Sequence, residues 1–152
     1  MRLGGMDEEC SICNGKADAL FKRIEVWSNR RWRLTTTTYR AVKGLCYLEP
    51  VRHIRYITEI DGHEASEFGP VLSSAASALK AATGAELIYL YIYGGHIPHL
   101  HVHLAPHRQG DVFFDDLVKE GIELSEEVMP AEEVAAVSRG IGMNMPGKSS
   151  TG

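Results

Sequence analysis

The chain has 152 residues, 16 basic and 20 acidic side chains, a formal net charge of −4 and 44% apolar residues. That length suits a single domain, residues 1–152, with a core that buries well over half of its unfolded surface. The acidic balance argues against a general nucleic-acid or anionic-membrane binder, no apolar run approaches a bilayer span, and residues 1–10 lack the basic-then-apolar order of a secretory signal. The expectation is a cytoplasmic protein with neither nucleic-acid nor membrane partners, whose three cysteines are thiols or metal ligands.

In chain order, residues 1–5 read as a loose leader, followed by the closely spaced thiols of Cys10-Ser11-Ile12-Cys13. Residues 23–27 and 31–37 alternate well enough to be two strands around a Ser28-Asn29-Arg30 turn. Arg30, Arg31 and Arg33, interleaved with Trp27 and Trp32, fit either a solvated hairpin or a phosphate- and base-binding patch. Residues 44–49 form a third strand closed by Pro50. From 63 to 82 the composition turns to Ala, Ser, Leu and Lys, with Phe68, Val71, Leu72, Ala75 and Leu79 at helical spacing and Gly84 as the stop. Residues 86–93 and 99–105 give two more strands, joined through Gly94-Gly95 and Pro98. Beyond Pro106, residues 111–120 and 130–139 predict two helices, and 147–152 a frayed tail. The resulting fold class is α+β: a five-stranded, mostly antiparallel sheet with a helix packed on it.

His99-Leu100-His101-Val102-His103-Leu104 is the most informative stretch. Alternation puts three imidazoles on one strand face, while Leu100, Val102 and Leu104 anchor the other face in a core. Neighbours at i and i+2 stand about 6.5–7 Å apart along a strand, so a straight row converges poorly on one ion. It suits outer imidazoles that position a phosphate while the middle one attacks it.

These residues resemble the histidine triad family, whose signature of alternating histidines followed by apolar residues is matched over 99–105. The resemblance extends to Gly44, Pro50 and His53 in the stretch 44–53, and to Cys10-Ser11-Ile12-Cys13, which resembles the Cys-x-x-Cys opening many bacterial members. It covers about residues 7–108, with 109–146 left as a carboxy-terminal helical extension. The resemblance implies a nucleotide hydrolase or nucleotidyltransferase acting at a phosphate ester, anhydride or phosphoramidate through a covalent intermediate on His101. Its other nitrogen is expected to be held by a backbone carbonyl or a similar acceptor. His103 would stabilise charge on the phosphate oxygens. It also implies a structural zinc held by Cys10, Cys13, His53 and His99, a small phosphate or nucleotide as the partner, and a homodimer. The competing reading of the cysteine pair is two ordinary reduced thiols at a helix start.

Two departures from the family pattern bear on the substrate. The position that many members give to a ribose-binding Asp falls at Thr37, a weaker clamp. The position of a Ser, Thr or neighbouring Gln near the leaving group falls at His96, which fits either a proton donor or a solvent-exposed turn. His107 and Arg108 lie just beyond the row, placed either to meet the distal part of a substrate or in a surface loop. Two other functions stay open: a non-catalytic nucleotide-binding or regulatory protein, and a metal-dependent enzyme using the histidine row as its metal centre.

Overall fold

Residues 7–93, 97–110 and 127–147 are described by the computed structural model. In chain order they form α1 (Lys16–Leu20), β1 (Arg23–Ser28), β2 (Trp32–Thr37), β3 (Cys46–Pro50), α2 (Gly62–Thr83), β4 (Leu87–Ile92), β5 (Val102–His107) and α3 (Ala131–Asn144). The strands make one sheet in the order β1-β2-β3-β5-β4, every pair antiparallel. Residues 94–96 and the expected helix at 111–120 lie outside the described residues.

The register sorts the side chains onto two faces, because residues directly opposite each other point the same way. Leu34 pairs with Leu48 and Leu48 with Val102, while Cys46 pairs with Leu104. With Trp27, Trp32, Ala75, Ala78 and Leu79 these residues form the main core between the sheet and α2. The other face carries Thr35 opposite Tyr47, Tyr47 opposite His103, and His103 opposite Tyr91. The histidines therefore stand on the side of the sheet away from α2, on a strand whose alternate residues are locked in the core.

Local chemistry explains the turns. Asn29 Oδ1 accepts the backbone N–H groups of Arg31 (2.9 Å) and Trp32 (2.7 Å), closing the β1–β2 hairpin. Asp61 caps α2 by accepting the Gly62 N–H, and Gly84 ends it at φ 68°, a left-handed conformation that glycine adopts without strain. Pro70 sits on the exposed side of α2, where the lost helical bond falls next to solvent. Both tryptophans are structural: Trp32 is fully buried and packs on Phe68 with ring centroids 5.2 Å apart, and Trp27 donates its indole N–H to the Pro146 carbonyl. They are not available to stack on a base. Arg31 and Arg33 are paired with acidic side chains instead of forming a phosphate patch.

The largest shifts from the expected boundaries are in β5 and α3. β5 begins at Val102 rather than at 99, because His99 gives its N–H to Ile97 and its carbonyl to a side chain, and Leu100 bonds across to the Ile54 carbonyl. α3 runs on to Asn144, and its Ile141, together with Met145, belongs to the main core. The helix comes so close to β1 that a Cβ at Gly142 would lie 3.2 Å from the Val26 carbonyl oxygen. Replacing fully buried Ile141 by Ala is expected to cost about 2–4 kcal/mol, read from the urea midpoint at unchanged m-value. A loss below about 0.5 kcal/mol would show that α3 is an appendage.

Candidate active site and metal-binding cluster

Cys10, Cys13, His53 and His99 come together from three parts of the chain, their donor atoms all within 4.8 Å of one another. The thiols sit in turns before α1, where the Cys10 carbonyl accepts the Asn14 N–H and the Cys10 N–H reaches Asp7. His53 follows β3 in a turn tied down by Arg52, which donates to Glu64 of α2 at 2.7 Å and to the Glu59 carbonyl at 3.0 Å. His99 Nδ1 lies 3.5 Å from each sulfur and 3.3 Å from His53 Nδ1, and His53 Nδ1 lies 3.6 Å from Cys13 Sγ. A tetrahedral zinc with Zn–S of about 2.3 Å and Zn–N of about 2.0–2.1 Å has S···N edges of about 3.6 Å and an N···N edge of about 3.3 Å. The donor set and its spacing fit that ion.

The far nitrogens are held as well. His99 Nε2–H donates to the Pro50 carbonyl at 2.8 Å, which leaves Nδ1 its lone pair, and His53 Nε2 lies 3.7 Å from the Asp7 carboxylate. Burial lowers the His99 pKa and raises that of Cys13, the latter helped by the neighbouring Cys10 charge. Cys46 takes no part: it is buried in the main core, and burial pushes its thiol up to about 12.

His101 and His103 remain for other work, 5.1 Å apart between ring centroids. His101 Nδ1–H donates to the carbonyl of His99 at 2.7 Å, which fixes the neutral tautomer and leaves Nε2 as the ring's lone-pair nitrogen. His103 is buried between Tyr47 and Tyr93, whose rings stand edge-on to it at 5.0 and 5.1 Å. Its pKa is lowered to about 4, first by burial and then by the charge of His101.

Beside His103 lies a buried charge network that the sequence reading missed. Arg23 grips Glu49 through both carboxylate oxygens at 2.9 Å and reaches Asp18 at 2.8 Å, and Arg33 bonds to Glu49, Asp18 and Glu25. Arg23 and Glu49 are 5% and 1% exposed, and each keeps a second partner, Asp18 for Arg23 and Arg33 for Glu49, so removing one leaves the other's buried charge only partly compensated. Asp18 is half-buried. Its burial acts to raise its pKa, but the Arg33 hydrogen bond and the charges of Arg33 and Arg23 outweigh it and hold the carboxyl below the usual range. The alternation Tyr47, Leu48, Glu49 was the available signal, since it puts a carboxylate on the histidine face of a sheet strand.

The remaining expected residues are scattered. Thr37 is 1% exposed and its hydroxyl accepts the Tyr39 N–H at 3.1 Å. Two residues earlier, the buried Thr35 hydroxyl on the histidine face has no hydrogen-bond partner among the described residues. His107 continues the face of His103 along β5 and stands edge-on to Tyr89. Arg108 turns away, its guanidinium 3.7 Å from the position of a Cβ on Gly84 at the end of α2. His96 lies outside the described residues.

Comparison with solved structures places this architecture. A histidine triad protein from Sinorhizobium meliloti superposes with a TM-score of 0.71 at 24% identity, covering 86% of this chain and 94% of its own. A zinc-bound histidine triad family protein from Mycobacterium smegmatis gives 0.62 at 18% identity over 90% and 92%. A hypothetical histidine triad nucleotide-binding protein from Sulfolobus tokodaii gives 0.65 at 20% over 89% and 91%. No family model and no curated protein matches the sequence. The chain thus has the histidine triad fold, with the Cys-x-x-Cys pair assembled beside His53 and His99.

The depressed pKa of His103 has a signed consequence. The unfolded imidazole takes up its proton near pH 6.5 and the folded one near pH 4, so this residue's stabilisation is complete above about pH 6.5 and lost as the pH falls through about 4. NMR titration is expected to find His103 still neutral at pH 5.5, and His103→Gln should flatten urea stability against pH over that window. A His103 resonance titrating near 6.5 would contradict the buried, neutral ring.

Proposed function

We propose that the protein is a hydrolase or nucleotidyltransferase that acts on a small phosphate ester, anhydride or phosphoramidate, with His101 as the nucleophile. The observation that carries this reading is the His101 to His99 carbonyl bond, which commits Nδ1 to its proton and Nε2 to its lone pair on a strand fixed in the core. In the first step Nε2 forms a bond to phosphorus while the bond from phosphorus to the leaving oxygen or nitrogen breaks with its electron pair. The leaving group then takes up a proton, a role proposed for His96. In the second step water, or an acceptor hydroxyl, attacks phosphorus, returns a proton to the group that protonated the leaving atom, proposed as His96, and breaks the N–P bond to release His101 as the neutral imidazole.

His103 acts in both steps on the phosphate oxygens. Being neutral at pH 7, it stabilises charge by donating a hydrogen bond rather than by carrying a formal charge. With Thr37 buried and its hydroxyl engaged, the site is read as centred on the phosphate and not on a charged ribose clamp. His107 is proposed to meet the distal part of the substrate, and Arg108 would have to swing back from α2 to join it.

Zinc is the proposed occupant of the Cys10, Cys13, His53 and His99 cluster, supplying a structural cross-link. This division of labour speaks against a metal centre made from the whole row, since only His99 of the three faces the thiols at bonding distance. A homodimer is proposed as well, on the exposed Leu90 and Ile92 of strand β4. Among the described residues no helix is long and apolar enough to cross a membrane, and a thiolate metal site suits the reducing cytoplasm proposed as its compartment.

His101→Gly is expected to lower turnover by at least about 10³-fold with zinc content and fold unchanged, and to abolish a phosphohistidine-type adduct detected by mass spectrometry in the parent protein. Near-normal turnover in that variant would rule out covalent catalysis; binding of nucleotides without turnover or adduct would favour the regulatory alternative. Metal analysis is expected to give about one zinc per chain, lost in Cys10→Ser or Cys13→Ser together with stability. A zinc-free protein of equal stability would refute the structural ion.

A further inference from the structure

The histidine row has two flanks on its sheet face, and they are built differently. Toward β3 and β1 the face is filled. Tyr47 packs against His103, the Arg23 guanidinium stands 5.4 Å from the centre of the Tyr47 ring, and Glu49 holds Arg23 in a fork. A flat ligand group entering there would have to part a buried ion pair.

Toward β4 the same face carries Tyr89 and Tyr91 of that strand, and Tyr93, one residue past its end, continues their alternation. Their rings run nearly parallel: Tyr91 and Tyr93 lie 6° apart in plane at 5.9 Å between centroids, Tyr89 and Tyr91 20° apart at 6.4 Å. Tyr93 touches His103 edge-on, and Tyr89 touches His107 edge-on, so the ladder spans the distance between the two histidines. None of the three is buried, and Tyr93 is 38% exposed. The main core does not use these rings, and neither step of the proposed reaction requires them.

We propose that the Tyr89, Tyr91 and Tyr93 ladder is a subsite for a planar aromatic group carried by the phosphate substrate, lying beyond His103 on the β4 side. The proposal rests on the phosphate-centred reading of His101. Aromatic faces and edges recognise a flat ring without reading its hydrogen-bonding pattern, so this subsite separates aromatic from aliphatic substrates and discriminates little among ring systems. Its contribution belongs to substrate binding, visible in KM more than in kcat.

The test is calorimetric titration of the full chain with 1-naphthyl phosphate and with methyl phosphate, which share the phosphate and differ in the ring. The naphthyl ester is expected to bind at least about tenfold more tightly. That advantage should shrink about fivefold or more in Tyr93→Leu and in Tyr91→Leu and persist in Tyr93→Phe, while methyl phosphate binding, which also reports an intact site, stays constant. In the unmodified protein, naphthyl phosphate should shift the ring-proton resonances of Tyr91 and Tyr93, a readout that needs no variant to fold. Equal binding of the two esters, absent ring shifts, or an advantage that survives both leucine variants overturns the subsite and leaves the phosphate reading standing. A weakened self-association in the leucine variants with the naphthyl preference intact assigns the ladder to a second copy of the chain and overturns it too. If neither ester binds, the phosphate reading falls and the subsite with it.

Discussion

His99 is the residue on which the two centres of this protein depend. Its Nδ1 faces both thiols and His53, its Nε2–H is tied to Pro50 at the end of β3, and its carbonyl holds His101 in one tautomer. A shift of His99 therefore moves the acceptor that orients His101. The amino-terminal segment has a small core of its own, with Cys10, Ile12 and Ala17 buried and Cys13 and Ile97 partly so. That apolar surface is small, and the segment is also tied to the sheet through Asp18, which pairs with Arg23 and Arg33; an ion held by the four donors, as proposed, would add a link to the end of the row. A cross-link at the proposed zinc would thus act, through the His99 carbonyl, on the geometry of the proposed nucleophile two residues away.

The second constraint is electrostatic. Toward β1 and β3 the face bearing the histidines is a packed polar layer in which Arg23, Arg33, Asp18, Glu25 and Glu49 satisfy one another. Such a layer contributes little net stability compared with an apolar one, yet each member is costly to remove. It holds Tyr47 against His103 and excludes water from one side of that ring, and burial is the first cause of the low His103 pKa. The fold thus keeps a neutral imidazole beside the proposed nucleophile at neutral pH.

Much of this was readable from residue order. The apolar members of the 99–104 alternation, Leu100, Val102 and Leu104, are all buried as expected, and Ala75 and Leu79 of the helical stripe enter the core. The extent of β5 was not readable, because alternation says which way side chains point and not which carbonyl a histidine will claim. α3 looked like an extension since its moderate amphipathicity gives no hint of its partner, whereas Gly142 and Ile141 fit it closely against β1 and α2. The charge network stayed hidden for a related reason: Asp18, Arg23, Arg33 and Glu49 are spread over four elements, and only the register brings them together.

The two margins of the sheet are unlike. At β1, α3 comes down onto the Val26 carbonyl and Trp27 is bonded to Pro146, so that margin is sheltered by the chain itself. At β4, among the described residues, the backbone pairs with β5 alone. An edge strand is a template for another strand, and this one presents phenol rings on one side and Leu90 and Ile92 on the other. Strand addition there would lengthen the sheet on the β4 side of His103, so whatever joins this protein by backbone pairing also comes to lie beside the histidine face.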